Sequence, residues 1–544
     1  MKKKLLRLFG MTWLLLFCCH STYSQFLSDS SQTYFVCNAT GSQVSVNAFS
    51  DGNGGTYSFW IDKRNGSSGT AIYGQHLDSL GFAQWPSNGK LFFQANSKEV
   101  WLMKAVPWQS GILMAWEQAP FGTGGDTLFC NYFDLNGNSI WPQALVVANK
   151  QGILYLNYDQ IDIYPNDSGA TVLYGFLQVG GNVYFGFNRL DFNGNLYWPL
   201  NSMSYQGLGT YYRTGYDNHN GFYVAASTGG LGYPIYLGHF DLQGNLTIPS
   251  PVDVTGTAGG RGNSQWKVLC DNDTNAYIIW ASYTNSDISI AKIKPDGTLP
   301  WPDAKQICAA PNLQDVPDAM IKNDTIYAIW DDARPGAANY DVYLQKVDTA
   351  GNMLWTPDGI QLSNLVSYIP YPKVVSSGGN VVATYLVNTK FRAQQIQPDS
   401  SSVWPQNGIA VNVPDPPFYG DYQLVESADG SITAIWRNAG DDICAARIRP
   451  NGLLTNVSQQ KENSISLFPN PATNQFTIQL HDSNLKDVLI SMYDSMGKLI
   501  LQEKAIPSSN GKIYIDTKKF RTGFYFINVS AGTSSFCEKV CVIK

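Results

Sequence analysis

Residues 330–355, WDDARPGAANYDVYLQKVDTAGNMLW, read as the end of one strand, a loop, a second strand, a tight turn and the start of a third. Versions of this stretch recur along the chain. The turn glycine marks the register: Gly81, Gly137, Gly194, Gly244, Gly297 and Gly351, then Ser400 in the same slot, then Gly452. Eight copies therefore follow one another at intervals of 49 to 57 residues. A period near fifty belongs to propeller blades or stacked arrays.

Each copy carries an apolar run: TYSFW (56–60), GILMAW (111–116), TVLYG (171–175), GFYVAA (221–226), AYIIW (276–280), TIYAIW (325–330), VVATYL (381–386) and SITAIW (431–436). Short, nearly continuous runs rich in β-branched and aromatic residues predict strands covered on both faces. Turn clusters such as Asp51-Gly52, Asn220-Gly221 and Asp429-Gly430 precede the runs and suit tight hairpins. A third strand, such as DVYLQKVD (341–348), alternates apolar and polar residues and ends in D-x-x-G. There Asp can bond the backbone two residues on while Gly takes the left-handed position. The fourth strand is expected to carry Trp-Pro (Trp85-Pro86, Trp141-Pro142, Trp198-Pro199, Trp301-Pro302, Trp404-Pro405), because proline belongs on an outer edge.

The last copy differs: its fourth strand, read at 453–458, lacks Trp-Pro, whereas TYFVC (33–37) precedes the first hairpin with no unit of its own. That N-terminal stretch is expected to pair into the final blade and close a ring. The expected fold is all-β: an eight-repeat β-propeller of four-stranded antiparallel blades at 25–457, a polar linker at 458–464, and a small C-terminal immunoglobulin-like β-sandwich at 465–544.

Lys2, Lys3, Lys4 and Arg7 lead into an apolar core at 8–19 and then small residues, the pattern of a signal peptide over 1–24, with cleavage between Ser24 and Gln25. The run is too short to span a bilayer comfortably, and Phe17 makes Cys18-Cys19 a poor lipid-attachment site. Losing these four positive charges takes the formal charge from −6 to −10, which argues against nucleic acid as a partner. No stretch predicts a membrane span. Cys37, Cys130, Cys270, Cys308, Cys444, Cys537 and Cys541 remain; Cys270 with Cys308 could bridge adjacent blades, but pairing stays open.

The tail carries ordered motifs: FPNPATN from Phe468, Pro469, Asn470 and Pro471; YDSMGK ending in Gly497 and Lys498; TGFYFINV with Gly523 and Tyr525; and a terminal basic residue, Lys544. These resemble the type A C-terminal sorting domain of the type IX secretion system of Bacteroidota. The resemblance implies export through the periplasm and across the outer membrane by that machinery, removal of the tail, and release or attachment at the cell surface.

Catalytic signatures are scarce. His76, His219, His239 and His481 lack metal-ligand spacing, and the repeats hold only Glu99, Glu117 and Glu426 as glutamates. Glycosidases need two converging carboxylates, which aspartates alone would have to supply. The D-x-x-G-x-x-x-W pattern lacks the sialidase Asp-box arrangement. Asp134, Asp191 and Asp271 open segments like calcium loops, but the glycine and distal glutamate such a loop needs are absent after Asp271, so Asx-bonded turns are expected. No cofactor is implied. The charged groups that follow the Trp-ending strands are the candidate binding residues: Asp62 and Arg64, Asp331, Asp332 and Arg334, Arg437 and Asp441. Either they hold their own loops, or they present a polar rim. The expected function is a secreted or cell-surface, non-catalytic binding or adhesion propeller whose partner is a polysaccharide or a surface protein. The alternative is a glycan-active hydrolase or lyase using Asp carboxylates in the propeller channel.

Overall fold

The computed structural model describes residues 29–454 and 465–544, apart from 67–68, 121–126, 150–152, 167, 179–182, 207–210, 228–231, 257–258, 260–265, 337–338, 366, 368–369, 388–389, 419, 481–487, 495–497, 509–510 and 532–533. The signal peptide with its cleavage site at Ser24 and Gln25, the linker, and Gly497 lie outside the described residues. The chain divides into two compact units, Met1–Asn456 and Val457–Lys544.

Among the described residues the first unit holds eight four-stranded antiparallel sheets and no helix. Sheet I runs from Gln43–Ser50 through Thr56–Asp62 and Ala71–Leu77 to Lys90–Gln94. Sheets II to VIII open on Glu99–Trp108, Ile153–Asn166, Tyr211–Tyr216, Trp266–Cys270, Gln314–Lys322, Lys373–Ser377 and Tyr422–Glu426. Each of these first strands touches the first strand of the next sheet, and Tyr422–Glu426 comes back against Gln43–Ser50. The neighbour relation returns on itself, as the expected ring requires.

The apolar runs form the second strand of each sheet. Thr56–Asp62 and Ala276–Ala281 are buried along their whole length. Trp60, Trp116, Trp280, Trp330 and Trp436 are each less than 2% exposed. An indole buried this far contributes on the order of 4–6 kcal/mol of transfer free energy before ordering costs. The unpaired start of the chain closes sheet VIII: Tyr34–Cys37 pairs with Ile443–Ile448, Tyr34 opposite Ala445.

Two sequence expectations need correction. The Trp-Pro pairs are not in the edge ladder. After the D-x-x-G turn the chain makes a single bridge, for instance Leu77 with Ala83, bends at Trp-Pro, and only then forms the fourth strand. A buried amide on the third strand, ten residues before the tryptophan, holds this bend. Gln394 Nε2 donates to the carbonyls of Trp404 (3.4 Å) and Pro405 (2.9 Å), while its Oε1 accepts from Trp404 N (3.3 Å). Gln75 and Gln345 repeat the arrangement, and Asn188 does so with Trp198. Proline has no N–H for a ladder, so side-chain amides satisfy the backbone there. Likewise, the fourth place in the last sheet, expected for 453–458, is taken by another stretch, and 455–458 lie outside the described residues. Leu454 makes one bridge to Ile448, and Tyr34–Cys37 occupies the edge.

Successive sheets interlock at two repeated points. At Gly194, Gly244, Gly351 and Gly452 the turn glycine of one sheet lies on the tryptophan of the sheet before it: a Cβ on Gly452 would come within 2.7 Å of the Trp404 indole, and φ there is +77°. Three residues after the tryptophan, an Asx residue with positive φ accepts the backbone N–H at the end of the preceding edge strand. Asn88 holds Asn38 N (2.9 Å), Asn201 holds Asn149 N (3.2 Å), Asp358 holds Ala309 N (2.8 Å) and Asn407 holds Asn364 N (2.8 Å). Cys37, Cys130, Cys270, Cys308 and Cys444 are buried free thiols, so the suggested Cys270–Cys308 bridge is not formed.

The second unit has a three-stranded sheet (Ile465–Phe468, Gln475–Leu480, Lys512–Asp516) and a four-stranded one (Leu499–Ala505, Val488–Asp494, Gly523–Ala531, Ser534–Val542). They share one core that includes Phe476, Ile478, Ile490, Met492 and Ile527.

Candidate functional site

The loop-face candidates resolve into separate groups. Trp60 Nε1 donates to Asp62 Oδ2 at 2.9 Å, and Arg64 grips the same carboxylate through Nε (2.8 Å) and Nη2 (2.7 Å). The Arg64 guanidinium lies 3.8 Å over Tyr73 and donates to the Asn88 carbonyl at 2.8 Å. Asp332 and Arg334 reproduce this with Trp330 (2.9 Å), Tyr343 (3.6 Å) and the Asp358 carbonyl (3.0 Å). Burial opposes the Arg64 charge, but its Asp62 partner more than offsets that and holds the guanidinium above its ordinary value. Both aspartates are fully buried. Each bidentate pair thus ties its own loop to the bend that precedes the fourth strand of its sheet. Arg437 forms a third group, with Asp421 at 3.0 Å and Asp441 at 3.1 Å.

Asp331 stands apart from Asp332, because neighbours on a strand point to opposite faces. It sits directly across the ladder from Asp315 and is 2% exposed. Burial, and then the Asp315 charge, push its carboxyl well above the usual carboxylate range. Its Oδ1 has no partner among the described residues. Glu117, in the same place after Trp116, is also sealed, with Oε1 unpartnered and its carboxyl pushed up by burial.

Sequence reading missed a belt of charges on the first strands of sheets V to VIII. Lys267 Nζ meets Asp318 Oδ1 at 2.7 Å, and Val374 N donates to Asp318 Oδ2 at 3.1 Å. Lys373 lies 4.3 Å over the Tyr422 ring and donates to the Tyr422 carbonyl; burial pulls its ammonium down to about 8. Lys322 meets Glu426 at 3.3 Å. The available signal was Lys or Asp alternating into otherwise β-forming first strands. It was too sparse without the ring that brings those strands side by side.

The calcium-like segments are Asx turns. Asp134 Oδ1 accepts from the backbone of Asn136 (2.9 Å) and Asn138 (2.8 Å), and Asp271 Oδ1 does the same with Asp273 (3.0 Å) and Asn275 (2.9 Å). Among the described residues no cluster of three His, Cys, Asp or Glu could hold a metal.

In the second unit, motifs from opposite ends of the tail meet. Asn470 Oδ1 accepts from Cys541 N (2.9 Å), Ala472 N donates to the Cys541 carbonyl (2.7 Å), and Ile543 N donates to the Ala472 carbonyl (2.8 Å). Phe468 ends its strand before Pro469 and Pro471, and Gly523 opens its own opposite Val542. Tyr525 bonds both backbone groups of Arg521 through its hydroxyl (2.9 and 3.0 Å). Lys498 N donates to Asp494 Oδ1 (3.0 Å), and Lys544 Nζ reaches the Lys518 carbonyl (2.6 Å).

Residues 466–544 match the family described as a secretion system C-terminal sorting domain. The molecule is thus an all-β, β-propeller-like protein with a sorting tail, and that tail implies export by the type IX secretion machinery. No curated protein matches the chain. Among solved structures it is similar to a puromycin hydrolase (14% identity, TM-score 0.40, 76% of this chain and 61% of that one). It is also similar to prolyl oligopeptidase B from Galerina marginata (12%, TM-score 0.40, 75% and 56%) and to a PL25 ulvan lyase (10%, TM-score 0.38, 68% and 96%). The chain spans about three-fifths of the length of the first of these.

Proposed function

We propose that this protein is an exported, non-catalytic binding propeller of eight four-stranded blades (25–457), delivered by an immunoglobulin-like sorting sandwich (465–544) after loss of a signal peptide (1–24). Its destination is the outer cell surface or the medium, by way of the periplasm, and its partner is a polysaccharide or a surface protein. One observation carries the choice of binding over catalysis: Asp318 and Glu426 on inner strands, and Asp421 just before one, are each engaged by a basic side chain, Lys267, Lys322 and Arg437. Groups neutralised in this way make a preorganised wall, and none of these three carboxylates stands ready as a free acid or base. The loop pairs Asp62–Arg64 and Asp332–Arg334 belong to the scaffold that supports the binding face, and Arg437 and Asp441 to its rim.

A second reading, a glycan-active hydrolase or lyase, is favoured by Asp331 facing Asp315, since a raised carboxyl beside a second carboxylate is what such chemistry uses. The sealed position of Asp331 weighs against it. The mature protein is therefore to be screened on a glycan array alongside a reducing-sugar release assay. Binding without release supports the first reading, and release abolished by Asp331→Asn and Asp315→Asn establishes the second.

A further inference from the structure

Four of the joints between successive sheets carry the Asx staple described above, from Asn88, Asn201, Asp358 and Asn407. The joints between sheets I and II and between sheets IV and V do not, because Ala144 and Ala304 stand three residues after Trp141 and Trp301, where the staple would sit; only at the second does a short edge strand coincide with the gap. The edge strand of sheet IV is also only two residues long, Val252–Asp253. The chain then bends away, with Asp253 Oδ1 accepting from Thr255 N (2.9 Å), Thr255 Oγ1 (2.7 Å) and Gly256 N (3.2 Å). Beside the short edge and the missing staple, the outermost strand of sheet V, Lys305–Cys308, begins with two exposed residues, while its neighbour Ile288–Ile293 stays buried. A cavity of about 370 Å³ results, within the range of roughly 300–1,000 Å³ typical of small-ligand sites.

Its lining suits one kind of chemistry. Asp253, Asp303, Asn285 and Lys305 border it with acceptors and donors, and Leu299 and Trp301 add an apolar wall. Several of the polar atoms are uncommitted among the described residues. Asp253 Oδ2, both oxygens of Asp303, Lys305 Nζ and the Trp301 indole N–H have no hydrogen-bond partner there, and Asn285 uses only its Oδ1, on Ser282. A sugar hydroxyl both donates and accepts, so mixed carboxylate, amide and ammonium groups around an apolar wall match a pyranose ring. Two carboxylates against one ammonium, on a chain of formal charge −6, repel uronate and sulfate groups.

We propose that this cavity is a saccharide subsite that takes an uncharged sugar unit of a neutral polysaccharide. The assignment rests on the binding-propeller reading and adds both the place and the charge class of the ligand. Asn285 and Asp303 are exposed, so substitutions there leave the core alone.

Affinity electrophoresis of the mature protein through gels containing a neutral glucan, a neutral mannan, or an acidic uronan tests it, with thermal melts confirming that each variant is folded. Retardation by a neutral glycan, reduced at least tenfold in apparent affinity by Asn285→Trp and by Asp303→Ala at unchanged melting temperature, supports the subsite. Neutral-glycan retardation that survives both substitutions, or retardation by the uronan alone, overturns the subsite while leaving glycan binding intact. No retardation in any gel overturns the subsite and the polysaccharide reading together.

Discussion

Asp331 faces Asp315 across the ladder of sheet VI with its carboxyl shut away from solvent. Burial and the neighbouring charge raise it above its value in the unfolded chain, near 3.9. The folded protein therefore keeps a proton that the unfolded chain releases. The associated stability is complete below that unfolded value and declines as pH rises toward the folded one. Asp331→Asn is expected to flatten this decline and to raise the melting temperature at pH 7 more than at pH 4, as measured by scanning calorimetry at the two pH values.

Gln345 replaces a ladder partner for the bend after sheet VI's D-x-x-G turn, accepting from Trp355 N (3.2 Å) and donating to the Thr356 carbonyl (2.8 Å). Gln345→Leu keeps the volume but removes both hydrogen bonds, at a cost of about 1–3 kcal/mol. Urea unfolding should show the midpoint fall accordingly, and an unchanged midpoint would refute the assigned role.

Asn407 combines a staple with φ of +69°. Asn407→Ala loses the bond to Asn364 N and strains the backbone, costing about 2 kcal/mol, whereas Asn407→Gly loses the bond alone, at about 1 kcal/mol or less. The order of the two melting temperatures, Gly above Ala, is the readout.

Arg334 compensates a fully buried Asp332. Arg334→Met leaves that carboxylate unpaired, at a cost of about 3 kcal/mol. Because the pair serves its loop, the folded fraction of the variant is expected to bind ligand with unchanged affinity in a direct titration. A selective loss of affinity would return Arg334 to the ligand face.

Truncation before residue 466 removes the sorting domain. In a host with a type IX secretion system, the truncated protein is expected to stop at the periplasm and be missing from surface and medium fractions. Its first unit should still melt cooperatively, since each unit has its own core.

Much of the architecture could be read locally. Gly81 through Gly452 recur because a turn that needs a left-handed residue repeats once per sheet, and Ser400, at φ +76°, keeps that conformation without glycine. The apolar runs declared strands buried on both faces, and TYFVC without a unit of its own declared a closing strand. The Trp-Pro bend was misplaced because proline's missing N–H marks absence from a ladder, and says nothing of the amide ten residues earlier that takes over. The Asp62–Arg64 and Asp332–Arg334 pairs lie two residues apart and were visible as neighbours in the sequence, whereas the tyrosines beneath their guanidinium groups, Tyr73 and Tyr343, come from strands whose packing no local pattern specifies.

Sequence alone determined the repeat, the strand class and the export tail, since period, hydrophobic pattern and motif order are properties of neighbouring residues. Tertiary structure alone decided which charges meet. Lys267 with Asp318, Lys322 with Glu426, and the opening beside Ala304 depend on strands 51 or more residues apart lying side by side. Electrostatics and cavity shape act through space, and only the closed succession of sheets sets those distances.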